Sequence, residues 1–303
     1  IEVAVTSDTG ETQTSHYFLN ATRRAYFFVS DISRDLCKED SISGMLSVMN
    51  AVNETLSMEG MCRLYPVLDS KTGKISDKPV YESAFMSGEK KDFTAWKQLP
   101  SGEYRLILSV RGRDGKEVSN ADNAVNIVLF SLKDERPAVF METFLYEKNT
   151  EFDTTHPAIF YFGTSMKDAY VLVDVFGQKG RLESRTLSLN DSILRMEYPY
   201  REEYGDGVAV QFTFVKNGLL YTRRVELRKR LPERTLDMKW EVFRDRLRPG
   251  QEEEWKLVIK TPQGFPAAAE MLAMMYDASL DRIYSRNQSL SVYYNRYIHY
   301  YYW

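Results

Sequence analysis

The sequence predicts an all-β protein built from tandem antiparallel β-sandwich domains. Three observations carry this prediction: one clear hairpin, two further segments with the same order of turn and strand, and an aromatic content of 13% with 20 tyrosines against 4 tryptophans. Large rings of this kind pack well across the pleated surface of a sheet. The 303 residues are enough for two or three such domains.

The hairpin is predicted around Asn217-Gly218, which separates two alternating runs in YGDGVAVQFTFVKNGLLYTRRVELRK. This dipeptide favours a two-residue type I′ turn. With Lys216 opposite Leu219, the further opposed pairs are Phe214 and Tyr221, Phe212 and Arg223, Val210 and Val225, and Val208 and Leu227. One face is therefore apolar apart from Arg223, whereas Gln211 and Thr213 are expected on the solvent face.

Two other segments repeat this order of elements, PSGEYRLILSVRGRDGKEV from Pro100 and PGQEEEWKLVIKTPQGFPAAAEM from Pro249. Each has a turn, an aromatic residue, an alternating strand and a second turn, at Asp114-Gly115 and at Gln263-Gly264. The alternating apolar residues are Tyr104, Leu106, Leu108 and Val110 in the first segment, and Trp255, Leu257 and Ile259 in the second. The pattern indicates a degenerate structural repeat.

Charged, proline-containing junctions follow two of the predicted strands, in FSLKDERP and in RKRLPER. Such stretches are typical of linkers between domains. They divide the chain into residues 1–136, 137–234 and 235–303. The middle part has about the 100-residue size of a seven-stranded sandwich, whereas the last is too short to close one.

The first predicted domain contains an insertion-like stretch between Asp31 and Ser57. Its apolar residues Leu46, Met49 and Val52 fit either a helix or a strand. We therefore expect the first domain to be a sandwich with an insertion.

The stretch AAAEMLAMMYDASLD, from Ala267 to Asp281, fits two structures. Its methionines recur at helical spacing among strong helix formers. A strand buried on both faces would also hide any alternation, and Pro262 and Pro266 follow an alternating strand just upstream. We predict a strand from Ala268 to Tyr276, with Asp277 as the cap of a short helical turn.

Composition and charge argue against two classes of protein, those that bind nucleic acid and those with a membrane-spanning segment. The formal net charge of −3, with Lys and Arg scattered among acidic residues, gives no footprint for nucleic acid. No apolar run reaches the 18 or more residues of a membrane span. The chain begins without Met or a signal peptide, so we expect it to be part of something larger.

Two cysteines, Cys37 and Cys62, are too few for a disulfide framework and lack metal-ligand spacing. Free core thiols are the favoured interpretation, and a disulfide between them is the alternative if the parent protein is exported.

No catalytic constellation is predicted. The histidines His16, His156 and His299 fall in different predicted domains, which argues against a shared metal site or triad. Acidic residues adjoin at Glu202-Glu203 and at Glu252 to Glu254, but neighbours on a strand point to opposite faces. Nucleotide-binding and serine-hydrolase motifs are missing from the sequence. We expect a protein that is not an enzyme and has no metal or small-molecule cofactor.

Several motifs together carry a family resemblance: RDRLRPGQEEEWKLVIKTPQGFPAAAEMLAMMYDASLD from Arg244 to Asp281, preceded by LPSGEYRL, VLFSLKDERP, FDTTHPA, YGDGV and FTFVKNGLLY. In this order they resemble bacterial alpha-2-macroglobulin-like proteins of the Bacteroides type, over essentially the whole chain.

The resemblance implies a row of macroglobulin domains, which are fibronectin-III/Ig-like antiparallel sandwiches that form a scaffold. In that family, cleavage of a bait segment makes the scaffold rearrange around a proteinase, and many members acylate the proteinase through a Cys-x-Glu-Gln thioester. Here CKED at Cys37 has Asp40 where the motif has Gln, so we assign no thioester. The implied role is the non-catalytic scaffold of an endopeptidase inhibitor. Its implied partners are proteinases, bound through the full-length parent, and neighbouring macroglobulin domains, and its implied location is the periplasm or outer membrane.

A rival function comes from the tyrosine-rich end, SVYYNRYIHYYYW. There Tyr293, Tyr297, Tyr300 and Tyr301 could form a stacking platform for sugar, which would make the chain a carbohydrate-binding module of a secreted glycan-processing protein. The alternative is a structural role, in which these rings belong to the core of a sandwich.

Overall fold

The computed structural model describes residues 2–16, 25–230, 236–244, 248, 250–267 and 298. Within these ranges the regular structure is β-strand, with three short 3-10 helices at Thr94–Gln98, Ala121–Asn123 and Glu202–Tyr204 and no α-helix. The sheets are mostly antiparallel and pair into sandwiches. The predicted all-β fold is confirmed.

A first sandwich contains β3 to β12: β3 (Phe27–Ser30), β4 (Asp35–Cys37), β5 (Ser43–Met49), β6 (Glu59–Asp69), β7 (Lys74–Ile75), β8 (Tyr81–Met86), β9 (Lys90–Asp92), β10 (Gly102–Arg111), β11 (Glu117–Ser119) and β12 (Val125–Phe130). One sheet has the order β3-β5-β9. The other has the order β4-β12-β10-β6-β7, with β8 paired to β6 and β11 to β10. The alternating residues Tyr104, Leu106, Leu108 and Val110 of β10 all point into the core between the sheets.

The stretch between Asp31 and Ser57 is not an insertion, which corrects the expectation from the sequence. It forms β4 and β5, two strands of the sandwich itself. Leu46 and Val48 of β5 are fully buried in the core, whereas Val52 lies exposed in the turn that follows. The mixed pattern arises because both faces of β5 meet protein along part of its length, so its sequence does not alternate cleanly.

A second sandwich contains β13 to β20: β13 (Phe144–Asn149), β14 (Glu151–Phe152), β15 (Ala158–Thr164), β16 (Ala169–Gly177), β17 (Gly180–Leu189), β18 (Ser192–Tyr198), β19 (Gly207–Lys216) and β20 (Leu219–Lys229). Its sheets have the orders β13-β15-β18 and β14-β20-β19-β16-β17. Phenylalanine and valine fill the core, where the rings of Phe162 and Phe212 stack with centroids 4.0 Å apart.

The two sandwiches share one topology. In each, the chain runs first in the three-stranded sheet and then crosses to the larger sheet as a short strand, β4 or β14. That short strand pairs in parallel with the last strand of its own sandwich, β4 with β12 and β14 with β20. For two of the three segments of the degenerate repeat, the strands β10 and β19 therefore hold equivalent places in the two sandwiches.

The predicted hairpin is confirmed pair by pair. Lys216 lies opposite Leu219 and Phe214 opposite Tyr221, and the register continues unbroken to Gly207 and Arg228. Asn217 and Gly218 have φ values of +52° and +75°, as a type I′ turn requires. Phe214 and Tyr221 stack with ring centroids 5.0 Å apart.

One detail of the hairpin differs from the prediction, because Gln211 is buried on the expected solvent face. It lies opposite Asp174 of β16, which is also buried, and next along the same face lie Phe176 and Ala209. Ile298 packs on Phe176 and Ala209 from outside the sheet. Part of the outer face is thus covered by protein, which a hairpin register cannot reveal.

The remaining described strands form two separate hairpins. β1 (Glu2–Thr6) pairs with β2 (Thr12–His16), and β21 (Asp237–Val242) pairs with β22 (Lys256–Lys260) in the third predicted domain. The strand predicted from Ala268 to Tyr276 lies outside the described residues. Among the helices of the described ranges, none has the length and apolar character needed to cross a membrane.

Candidate functional site

The junction between the two sandwiches is the candidate functional site, because side chains and backbone groups of both sandwiches meet there. Residues 131–143 link β12 to β13. Side chains from the first sandwich hold the start of this linker, and backbone and side-chain groups of the second sandwich hold its end. Both sets of contacts are specific hydrogen bonds, so they fix the linker at defined atoms.

On the first sandwich, Glu39 directly after β4 organises the start of the linker. Its carboxylate accepts hydrogen bonds from the Ser131 hydroxyl at 2.7 Å, the Leu132 amide at 3.0 Å and the Cys37 thiol at 3.2 Å. Desolvation by itself would raise the pKa of Glu39, but the three hydrogen bonds outweigh it and lower the pKa to about 2. Glu39 is therefore ionised at neutral pH and bonded as an anion.

On the second sandwich, backbone groups and the Ser165 hydroxyl hold the rest of the linker. The Ile193 amide donates to the Glu135 carbonyl at 2.8 Å, and the Ser165 amide donates to the Met141 carbonyl at 2.8 Å. The Ser165 hydroxyl also accepts from the Met141 amide at 3.1 Å. These bonds attach the linker to the ends of β15 and β18.

An apolar cluster fills the space behind this linker. The junction cluster consists of Cys37, Phe130, Phe144 and Tyr161, drawn from both sandwiches and all buried. The ring of Phe130, at the end of the first sandwich, meets that of Phe144, at the start of the second, edge-on at 5.3 Å. Such aromatic pairs contribute about 0.5–1.5 kcal/mol beyond their burial.

Tyr146 of the second sandwich reaches back across the junction. Its hydroxyl donates a short hydrogen bond to the Asp40 carboxylate, and its ring lies edge-on to Phe130 at 5.2 Å. Desolvation, reinforced by the bond to Asp40, raises the pKa of Tyr146, so the phenol stays neutral and remains a donor. Sequence analysis missed Tyr146 and Glu39, because their partners lie far along the chain and leave no local pattern: Tyr146 and Asp40 are 106 residues apart, and Glu39 and Ser131 are 92 apart.

An open cleft of about 540 Å³ lies beside this junction. Its walls come from both sandwiches and from the linker, and include Asp35, Val128, Phe130, Met141, Phe144, Thr222 and Arg223. The Arg223 side chain, the polar exception on the predicted apolar face, donates from Nε to the Thr143 hydroxyl at 2.7 Å. The cleft therefore combines an aromatic wall with a cationic group.

Both cysteines are free and buried. Cys37 faces the second sandwich, whereas Cys62 lies in the core of the first. Two strands, β12 and β10, separate their strands in the sheet, which places them about 14 Å apart at ordinary strand spacing and too far for a disulfide. Burial, as the largest cause, raises the pKa of the Cys37 thiol to about 11, so the residue stays a neutral thiol.

The other residues singled out in the sequence are not brought together. His16 is exposed on β2, and His156 contacts Asp153 in a turn. Glu202 and Glu203 lie in a 3-10 helix instead of a strand, where Glu203 pairs with Arg201 at 3.4 Å.

In the acidic run near β22, Glu253 pairs with Arg244 at 3.4 Å, and Glu252 and Glu254 are exposed. His299 and the tyrosines of the predicted sugar platform, Tyr293, Tyr297, Tyr300 and Tyr301, lie outside the described residues.

Comparisons with known proteins give structural similarities only. A scan against protein-family models finds no match, and a search of curated proteins finds none. Among solved structures, the chain is similar to the native conformation of Escherichia coli alpha-2-macroglobulin, with 12% identity and a TM-score of 0.32, over 85% of this chain and 18% of that one.

A second similar structure is a tetra-tandem repeat from the extending region of a large adhesion protein, with 13% identity and a TM-score of 0.24. That match covers 80% of this chain and 58% of the other. The chain thus spans less than two thirds of either protein. Similarities of this strength do not identify a common fold, and the sandwich architecture rests on the sheets and registers themselves.

Proposed function

We propose that the chain is a non-catalytic scaffold portion of an alpha-2-macroglobulin-like proteinase inhibitor. The observation that carries the proposal is the junction, where Glu39, Tyr146 and the linker join consecutive sandwiches through specific contacts. A trap that closes after one cut needs domains that move as coupled bodies. The resemblance of the sequence to that family, from Arg244 to Asp281 and in the preceding motifs, supports the same role.

The experiment is proteinase capture by the full-length parent. Incubation with trypsin, followed by native gel electrophoresis, is expected to show trypsin retained by the cleaved parent. The variants Tyr146→Phe and Glu39→Gln should reduce retention while bait cleavage continues. A parent that is cleaved but retains no trypsin would overturn the inhibitor role.

The chain alone is proposed to hydrolyse nothing and to inhibit no proteinase, because trapping couples a bait cut to movement of a complete scaffold. Turnover of peptide, ester or glycoside substrates, measured on the purified chain, is expected to stay at the background rate. Turnover that disappears on substitution of a residue of this chain would overturn the non-enzymatic role. Export to the periplasm or outer membrane is part of the same proposal, testable by cell fractionation.

A carbohydrate-binding role is the second candidate, and exposed aromatic rings favour it. Trp240, Phe243 and Trp255 cluster on the β21–β22 hairpin with centroids 5.2–6.1 Å apart. Trp240 and Phe243 are about half exposed. Affinity electrophoresis through gels containing laminarin or xylan tests this role. Retardation of the wild-type protein that is lost in Trp240→Ala would support it. Unretarded migration of the wild-type protein in both gels would exclude these glycans as ligands.

A further inference from the structure

We propose that the cleft between the two sandwiches binds an extended peptide of a partner protein, which pairs with the open edge of β20 and places an acidic side chain against Arg223. The proposal does not depend on the inhibitor role, because it rests on the edge, the walls and the charge of the cleft.

Among the described residues, the edge of β20 is open beside the cleft. Because Lys216 and Leu219 close a two-residue turn, odd-numbered residues of β20 bond to β19 and even-numbered residues direct N–H and C=O outward. The Arg228 amide does so, donating to the Thr150 carbonyl at 2.8 Å. In the described chain, β14 is the strand on this edge and its register reaches only Arg228 and Lys229. The outward backbone groups of Leu220 and Thr222 thus have no strand partner there.

β14 itself shows what this edge accepts. It adds in parallel to the last residues of β20, with Phe152 fully buried in the core. The acidic residues on either side of Phe152 both face Arg230. The carboxylates of Glu151 and Asp153 lie 3.5 Å and 3.4 Å from its guanidinium. β14 therefore shows that this edge accepts a short strand, with an apolar side chain toward the core and acidic side chains on the other face.

Further along the same edge, the cleft offers an apolar wall and a cationic group. Its volume of about 540 Å³ lies within the range of ligand pockets, and Phe130, Met141 and Phe144 give it an apolar wall. Arg223 has no carboxylate within ion-pair distance among the described residues, unlike Arg224, which pairs with Glu226 at 3.3 Å. A carboxylate beside Arg223 would gain a charge-assisted hydrogen bond.

An extended peptide fits this combination better than a compact ligand does. Backbone pairing with an open edge supplies affinity, and alternate side chains supply specificity, as in other cases of strand addition. In such a pose, apolar side chains face the aromatic wall and an acidic side chain faces Arg223. Asp35, which also lines the cleft, disfavours a second acidic group beside it.

The probe is a fluorescein-labelled five-residue peptide, Val-Glu-Phe-Asp-Val, measured by fluorescence anisotropy against the full chain. Saturable binding is expected. Thr222→Pro removes the outward N–H without touching the bonds to β19, and Arg223→Glu reverses the charge. Each should weaken binding about tenfold or more, the loss expected for a hydrogen bond to a charged group or an edge bond.

Matched controls separate backbone pairing from charge. Arg113→Glu, on an exposed turn, makes the same charge change away from the cleft and should leave binding unchanged. A peptide with lysine in place of both acids, and one N-methylated at alternate amides, should bind about tenfold more weakly. Melting temperatures of all variants establish that the fold is kept, and if Thr222→Pro unfolds the protein, Arg223→Glu carries the test.

Three results would overturn the proposal: no saturable binding of the acidic peptide, equal binding of the lysine and N-methylated peptides, or binding unchanged in folded Arg223→Glu. The edge could also pair with a second copy of this chain. Concentration-dependent dimers in analytical ultracentrifugation, abolished by Thr222→Pro, would identify that occupant and overturn the partner peptide.

Discussion

At the scale of single residues, the turn between β19 and β20 depends on the left-handed backbone of Asn217 and Gly218, and the register of the ten residue pairs of the hairpin depends on this turn. The junction depends instead on side chains whose partners lie far along the chain. Glu39 accepts a hydrogen bond from Ser131, and Tyr146 donates one to Asp40. No fixed sequence spacing marks either pair.

Gly218→Val is expected to destabilise the second sandwich by about 2 kcal/mol, because a β-branched residue at φ +75° is strained. Thermal unfolding followed by circular dichroism measures the change. Asn217→Gly is the control, since a type I′ turn accepts glycine at both central positions and the melting temperature should barely move. An unchanged melting temperature in Gly218→Val would contradict the turn.

At the scale of elements, long alternating strands were predictable and short crossing strands were not. β10, β19 and β20 each have ten or eleven residues with one face in a core, so period-two alternation is plain. β4 and β14 have three and two residues. Too few residues remain for any periodicity, and parallel pairing with a distant strand leaves no turn signal.

The segment from Ala268 to Tyr276 remains a prediction at this scale, and two substitutions decide it. A strand buried on both faces predicts severe loss of stability for both Met274→Asp and Ala273→Asp, each costing at least about 2 kcal/mol for an unpaired carboxylate in apolar surroundings. Thermal unfolding of both variants is the measurement. Tolerance of Ala273→Asp, with loss only in Met274→Asp, would indicate an amphipathic helix instead.

At the scale of the whole molecule, an ionised carboxylate couples the first sandwich to the start of the linker that joins the two sandwiches. The pKa of Glu39 is lowered to about 2 in the folded protein from an ordinary 4.5. Its contribution to stability is therefore complete above about pH 4.5 and disappears as the pH falls toward 2.

Urea unfolding at pH 6 and pH 3 tests this coupling. The wild-type protein is expected to lose more stability between the two pH values than Glu39→Gln, which has no carboxylate to protonate at this position. Glu142→Gln is the control, because Glu142 is an exposed carboxylate of the same linker. Equal losses in the wild type and Glu39→Gln would show that the junction does not depend on this charge.

The parallel strands β4 and β14 have a mechanical consequence. Each lies near the start of its sandwich and pairs with the strand at the end, over three residue pairs for β4 and two for β14. Tension applied between the ends of a sandwich pulls these partners past each other in shear, so their hydrogen bonds must rupture together instead of unzipping one by one. Each sandwich would then resist stretching at its pair of parallel strands, and the two linked sandwiches would keep their length under force.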